Sequence, residues 1–171
     1  MLSNSTIRQS VRGRQFPRQT DDVSLLLILT SIEDATADYL CGLLPAQDVA
    51  FLRLDTETFT ETGFVEYGIE GATLWYAGRS YSPDAFSAVW YRRPRGVSIR
   101  GQFSAAHRLH ASREWGASLD GFLAHIDASR WINHPAANAR ASNKLLQLSM
   151  ARQGGLAVPE TLMSRSIEEA R

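Results

Sequence analysis

An α/β fold built on a mostly parallel sheet, with helices on both faces and an antiparallel hairpin insertion, follows from three features of the sequence. Two strand-length apolar segments, "VSLLLILTS" and "VAFLRLD", flank a stretch with helical spacing. Apolar runs without alternation belong to strands covered on both faces, the usual condition of a parallel sheet. Between residues 64 and 81 the pattern changes to short alternating stretches broken by glycines, which is the signature of hairpins.

Taken in order, residues 1 to 22 are polar, rich in Ser, Gln and Arg, and without periodicity. They read as a disordered leader outside the fold. Arg8, Arg12, Arg14 and Arg18 with few acids also fit an organellar transit peptide, a reading that ranks lower. After the first strand a helix starts near Glu33, with Ser31 as its cap and acids in its first turn. Ile32, Ala35, Tyr39, Leu40, Leu43 and Leu44 are expected to form its buried face. Pro45 lies just beyond. Strand, helix, strand with short connections is a βαβ unit, so a right-handed crossover is expected.

"FVEYGIEGATLWYAGRSY" then supplies hairpins, with breaks at Glu70-Gly71 and Ala77-Gly78, placed at one edge of the sheet. "AVWYRRP" returns to a core strand. A helix from about Ser104 to Ile126 buries Trp115, Leu119, Phe122, Leu123 and Ile126 on one face. "WIN" is a short strand. A last full helix, about Ala141 to Arg152, buries Leu145, Leu146, Leu148 and Met150 and ends at Gly154-Gly155. Ser166 followed by Glu169 is a capping box, so another helix is starting as the sequence stops. The expected organisation is a tail over 1–22, an α/β domain over 23–135, and a connecting helix with the start of a truncated second domain over 136–171.

Composition narrows the function. Lys and Arg number 18 and Asp and Glu 18, so formal net charge is zero and bulk nucleic-acid binding is not expected. One cysteine, Cys41, excludes an internal disulfide. The longest apolar run is too short to span a bilayer, so the expectation is a soluble, cytoplasmic protein with no membrane partner. His107, His110 and Glu114 share a helix face, but without HExxH spacing or a fourth ligand they read as a solvated face, and no metal ligand is assigned. Cys41, without a basic neighbour in sequence, reads as an inert half-buried thiol. No GxSxG, Walker A or GxGxxG motif occurs, and no catalytic residue is assigned.

In open α/β sheets, ligands gather beyond the carboxyl ends of the strands. Arg92, Arg93 and Arg95 follow "AVWY", and Asn133 and His134 follow "WI", so these five residues are the candidate cleft or peptide-binding positions. Ser31, Glu33, Asp34 and Asp55 follow the first two strands. Guanidinium forks suit carboxylates and phosphates. A solvated strand end is the competing reading for the arginines. Lys144 is the single lysine beside seventeen arginines, and it heads a helix after an Asn. Its ammonium is a compact mobile charge, unlike the planar fork of Arg.

The segments "LLLILTSIEDATADYL", "FLRLDT", "AVWYRRP", "REWGASLDGFL" and "WINHPAANARASNKLLQLSMARQGGLAVPETLMS" resemble the N-terminal, pre-ATP-grasp (Rossmann-like) region of ATP-grasp ribosomal peptide maturases. These are similar to the microviridin, or graspetide, ligases. The resemblance runs from about Val23 to the end, and its most specific part is the NHP…NK…QL…A…GL.VP.T series. It implies activation of a peptide Asp or Glu carboxylate by ATP and Mg²⁺, followed by attack of a hydroxyl or amine to close an ester or amide cross-link. The implied partner is a precursor peptide with leader and core; self-association as a homodimer is left open. It implies that Lys144 reaches the nucleotide phosphates. The family's metal ligands, adenine pocket and further phosphate-binding lysine lie downstream of this sequence. The chain alone is therefore expected to bind neither ATP nor Mg²⁺ tightly and not to catalyse. The alternatives are a stand-alone module of the same fold that recognises an acidic peptide, and an unrelated nucleotide-binding α/β regulator.

Overall fold

The computed structural model describes Ser24 to Ser166 and Glu168; the tail over 1–22 and the capping partner Glu169 lie outside the described residues. Seven strands form two sheets. β1 (Leu25–Thr30), β2 (Phe51–Asp55), β6 (Phe86–Tyr91) and β7 (Trp131–Ile132) form a parallel sheet in the order β2-β1-β6-β7. β3 (Gly63–Gly68), β4 (Gly71–Tyr76) and β5 (Arg79–Tyr81) form a separate antiparallel sheet. The hairpins are thus not an edge of the parallel sheet. Tyr76, Leu74 and Ala72 turn one face of the second sheet into the main core instead.

Period-2 alternation divides β1 between two cores. Leu27 and Leu29 point to one face and pack with Leu54, Val89, Leu119, Phe122 and Ile126. Ile28 points to the other, against Ala37 and Leu44. Helices α1 (Ala35–Leu43) and α3 (Ala105–Leu123) therefore cover opposite faces of the sheet. Leu27, Ile28 and Leu29 are at most 1% exposed, and each contributes about 1.5–3 kcal/mol of transfer free energy. This double burial is why the run lacks polar positions.

Two helical expectations change. The α1 cap is Asp34, whose side chain accepts from the Thr36 and Ala37 amides, and not Ser31. The face of α1 turned to the sheet is Ala37, Leu40, Cys41 and Leu44, while Ile32, Tyr39 and Leu43 are exposed. A helix that was not expected, α4 (Pro135–Ala141), precedes the expected last one, which is α5 (Lys144–Gln153) with Asn143 as its cap. On α5 Leu146 and Leu148 are half-buried, but Leu145 and Met150 are exposed. α3 follows expectation, with Leu119, Phe122, Leu123 and Ile126 buried and Trp115 half-buried against Phe59 at 5.9 Å between ring centroids.

Turn chemistry explains the second hairpin break. Ala77 (φ 50°) and Gly78 (φ 79°) sit in the left-handed region, as a type I′ turn requires. Gly63, between the one-turn helix α2 (Phe59–Thr62) and β3, is required for a different reason. A Cβ there would meet the Trp75 carbonyl oxygen at 2.7 Å and the Phe59 ring at 2.8 Å. Gly63→Ala is therefore expected to lower unfolding free energy by about 1–3 kcal/mol, read from the urea midpoint. An unchanged midpoint would contradict that packing.

Contacts divide the chain into two units, one ending at Ile132 and one beginning at Asn133. Among the described residues no helix is long and apolar enough to cross a membrane.

Candidate functional site

The carboxyl ends of β1, β2 and β6 carry most of the polar residues singled out above, and the first unit's geometry shows what each does. Asp34 is 8% exposed and saturated with donors. Its Oδ1 accepts from the Thr36 and Ala37 amides at 3.1 and 3.2 Å, and its Oδ2 accepts from the Thr30 hydroxyl at 3.0 Å. Arg92 Nε lies 3.3 Å from the same Oδ2. Burial alone would raise the Asp34 pKa; the Ala37 amide, the Thr30 hydroxyl, the Arg92 charge and the Thr36 amide together hold it below the ordinary value.

Arg92 is consequently a clamp rather than a free cation. Its Nη2 donates to the Thr36 hydroxyl at 3.1 Å, its amide to the Leu29 carbonyl at 2.8 Å, and its guanidinium lies 6.0 Å from the Trp90 ring centroid. Arg95 bridges two acids, Glu33 at 3.1 Å and Glu57 at 3.8 Å. The Arg95–Glu33 pair is exposed at both ends, so it contributes little. The Arg95 carbonyl oxygen accepts from the Thr56 hydroxyl at 2.6 Å, which ties the loop after β6 to the end of β2. Glu57 Oε2 is buried without a partner among the described residues. Arg93 is exposed like Arg95 but differs from both other arginines in its left-handed backbone at φ 47° and in having no ion pair among the described residues. Of the three arginines, it alone presents an uncompensated charge.

A second cluster at this edge went unread in the sequence. Arg53 Nε contacts Asp55 at 2.9 Å, Nη1 contacts Asp38, and Nη2 donates to the Ser31 carbonyl at 3.2 Å. Burial alone would lower its pKa, but the bonds to Asp38 and Asp55 push it up instead. The signal was present: an Arg inside "FLRLD" needs acidic partners if the strand is buried. The same Arg53 is the basic neighbour of Cys41 that sequence adjacency did not reveal. Burial still outweighs it and pushes the Cys41 thiol up, which disfavours the thiolate.

Asn133, His134 and Lys144 belong to the second unit. Asn133 adopts φ 61°, a conformation Asn tolerates better than most residues. The His134 Nδ1 accepts from the Ala136 amide at 3.3 Å and so caps α4, which requires that nitrogen to be unprotonated. Asn143 Oδ1 accepts from the Leu146 amide at 3.1 Å and caps α5. Lys144 is the first residue of α5, exposed, with Nζ donating to Gln147 Oε1 at 3.2 Å. A cation at a helix N-terminus opposes the helix dipole, so Lys144 is not there for the helix's own stability. Its charge and the amino end of α5 both favour an anion. His107, His110 and Glu114 are exposed, and among the described residues no three His, Cys, Asp or Glu are grouped to hold a metal ion.

Residues 24–139 match the family described as the MvdD pre-ATP grasp domain. Solved structures give the same indication. The chain is similar to the macrocyclase MdnB from Microcystis aeruginosa MRC, at 28% identity and TM-score 0.73, covering 86% of this chain and 50% of that one. It is similar to the macrocyclase MdnC of the same organism, bound with precursor peptide MdnA, at 26% identity and TM-score 0.74, covering 86% and 49%. A Chryseobacterium gregarium RiPP-associated ATP-grasp ligase, in complex with ADP and a leader and core peptide, matches at 25% identity and TM-score 0.69, covering 86% and 46%. No curated protein matches significantly. The chain spans about half the length of these solved relatives. With a parallel sheet flanked by helices, a separate hairpin sheet, and a family match over most of its length, the chain belongs to the MvdD pre-ATP-grasp domain family.

Proposed function

We propose that this chain is the amino-terminal portion of an ATP-grasp ligase that cross-links a ribosomal precursor peptide, and that alone it does not catalyse. The observation that carries the reading is the match over 86% of this chain to macrocyclases of which it covers about half. In that reaction a peptide Asp or Glu carboxylate oxygen attacks the γ-phosphorus of ATP, and ADP leaves. A Ser or Thr hydroxyl or a Lys amine then attacks the acyl phosphate. Phosphate departs, the nucleophile loses its proton, and an ester or amide remains.

Lys144 fits a role at the nucleotide phosphates, because an exposed ammonium at a helix N-terminus combines two sources of positive potential. Mg²⁺ would supply charge neutralisation at the phosphates; the described residues include no grouped set of His, Cys, Asp or Glu that would hold it. Arg93, exposed and unpaired at a strand end, favours a second reading in which this unit also contacts acidic peptide side chains.

The test is mass spectrometry of an Asp- or Glu-containing precursor peptide after incubation with ATP and Mg²⁺. The chain alone should leave the peptide unchanged, and the product of the reading frame that continues past Arg171 should remove one water per cross-link. A frame that closes at Arg171, or a longer product that hydrolyses ATP without dehydrating the peptide, would sink the ligase reading. Titrating the chain alone with the same acidic peptide at low salt tests the second reading, which fails if Arg93→Ala binds as well as wild type.

A further inference from the structure

The stripe of α3 that enters the core runs on past the core. Leu119, Phe122 and Leu123 are buried, and Trp115 and Ser112 on the same side are half-buried. Helical spacing carries that stripe back through Leu109, Arg108 and Ala105. There the residues facing the helix come from the loop over 96–103, and helix and loop enclose a groove of about 640 Å³. That is within the size range of ligand sites. Its apolar lining is Val97, Ile99, Phe103 and Leu109. Phe103 and Leu109 are each 53% exposed, so two large apolar side chains stand half in solvent.

The loop wall is fixed without regular secondary structure. The Ser112 hydroxyl donates to the Val97 carbonyl, the Thr60 hydroxyl donates to the Ser98 carbonyl at 2.9 Å, and the Ser98 amide donates to the Glu57 carbonyl at 3.3 Å. Gly101 turns the chain at φ 113°, and a Cβ there would stand 2.9 Å from the Phe103 ring. A wall already ordered loses little conformational entropy when something binds to it.

Charge decides what fits. The protein has a formal net charge of zero, yet residues 85–113 hold six arginines and no Asp or Glu. Glu61 neutralises Arg100 at 2.7 Å. Arg108 lines the groove, no acidic residue lines it, and neither Arg108 nor Arg113 has an ion pair among the described residues. Arg108 Nη2 donates to the Gly101 carbonyl at 3.2 Å, which positions the guanidinium and leaves its charge uncompensated. It belongs to the first turn of α3, where the helix dipole opposes a cation.

We propose that this groove is a docking site for an acidic segment of a partner polypeptide, one that carries an aliphatic or aromatic side chain beside Asp or Glu. The apolar side chain covers Phe103 and Leu109, and the carboxylates meet Arg108 and Arg113, the latter one turn on from Leu109. A second copy of this chain does not fit, because an isologous contact sets the same arginines against one another. Residues 1–22, with four arginines and two acids, carry the same sign as the groove. A fatty carboxylate needs a more enclosed site than one whose apolar walls are half open. The inference uses residues other than the strand-end arginines and does not depend on the ligase reading.

The experiment is fluorescence anisotropy of labelled peptides titrated with the full chain at low salt. The probes are Asp-Leu-Phe-Glu-Leu-Asp, its counterpart with Lys at every acidic position, and a third with Ser at every apolar position. The expected result is saturable binding of the first, at least about tenfold tighter than either control. Arg108→Gln and Leu109→Ser should each weaken it roughly tenfold with unchanged circular dichroism, whereas Arg93→Ala should leave it unchanged. Phe103→Ser, in the loop and not the helix, tests the same contact if Leu109→Ser alters the spectrum. Absence of saturable binding, equal binding of either control, or affinity unchanged in both Arg108→Gln and Phe103→Ser overturns the proposal. A loss with Arg93→Ala as large as with Arg108→Gln moves the peptide to the strand ends and overturns it as well. Two further outcomes give the groove to another occupant and also overturn it. Light scattering that shows a dimer in wild type but not in Leu109→Ser assigns it to a second copy, and displacement of the peptide by equimolar decanoate assigns it to a fatty carboxylate.

Discussion

Replacing Asp34 by Ala is expected to lower unfolding free energy by about 2–4 kcal/mol, the combined effect of losing a helix cap and leaving its donors unmet. The carboxylate accepts three hydrogen bonds, from two amides of α1 and the Thr30 hydroxyl at the end of β1, and forms an ion pair with Arg92 at the end of β6. Asp34→Asn separates these contributions. Asn keeps an acceptor for the α1 amides but removes the charge opposite Arg92, so its cost should be about half that of Ala. The pH dependence gives a second readout. The native pKa of Asp34 lies below its unfolded value. Its contribution is therefore fully present above the unfolded pKa, near 3.9 for Asp, and is lost as pH falls through the lower native value. Urea unfolding from about pH 6 to about pH 3 should show an acid-side loss in wild type that is smaller in Asp34→Asn. An Asp34→Ala variant within about 0.5 kcal/mol of wild type, the range of neutral surface changes, would remove the clamp from the account.

That clamp also marks where sequence reading succeeds and where it stops. The strands were legible because double burial of β1 forces an apolar run, and because Ala77-Gly78 can only be a tight turn. The α1 face was legible in part: Leu40 and Leu44 were expected to pack on the sheet and do, whereas Tyr39 and Leu43 were expected with them and are exposed, and Ala37 and Cys41 take their place. Hydrophobicity alone favours the larger residues. The sheet takes the stripe containing Ala37 because a small side chain lets the helix approach closely. On α5 the reading is half right: Leu146 and Leu148 are half-buried as expected, whereas Leu145 and Met150 are exposed.

The candidate site shows the same limit in electrostatic form. "RRPR" reads as a basic cluster, but Glu33, Asp34 and Glu57, distant from it in sequence, neutralise Arg92 and Arg95. Charge in a sequence is a local count, whereas charge at a strand end is a sum over every strand that ends there. Only Arg93 survives that sum, and its left-handed backbone at the sheet edge gave no signal in the sequence.

On the proposed ligase reading, Lys144→Arg in the longer enzyme is expected to lower kcat/KM for ATP on the order of tenfold to a hundredfold, and Lys144→Ala further. The argument rests on what Lys144 does not do. It is exposed, its one described side-chain bond is to Gln147 on its own helix, and its charge opposes the helix dipole. Substitution should therefore move the unfolding midpoint by no more than about 0.5 kcal/mol equivalent. Arg preserves the charge but replaces a mobile point donor with a rigid fork, so a loss with Arg separates donor geometry from net charge. If phosphate contact is the role, the loss should fall on ATP parameters while affinity for the precursor peptide stays unchanged. Wild-type kinetics for both variants would make Lys144 an ordinary surface residue. A loss of peptide affinity instead would move it from the nucleotide to the acceptor side of the reaction.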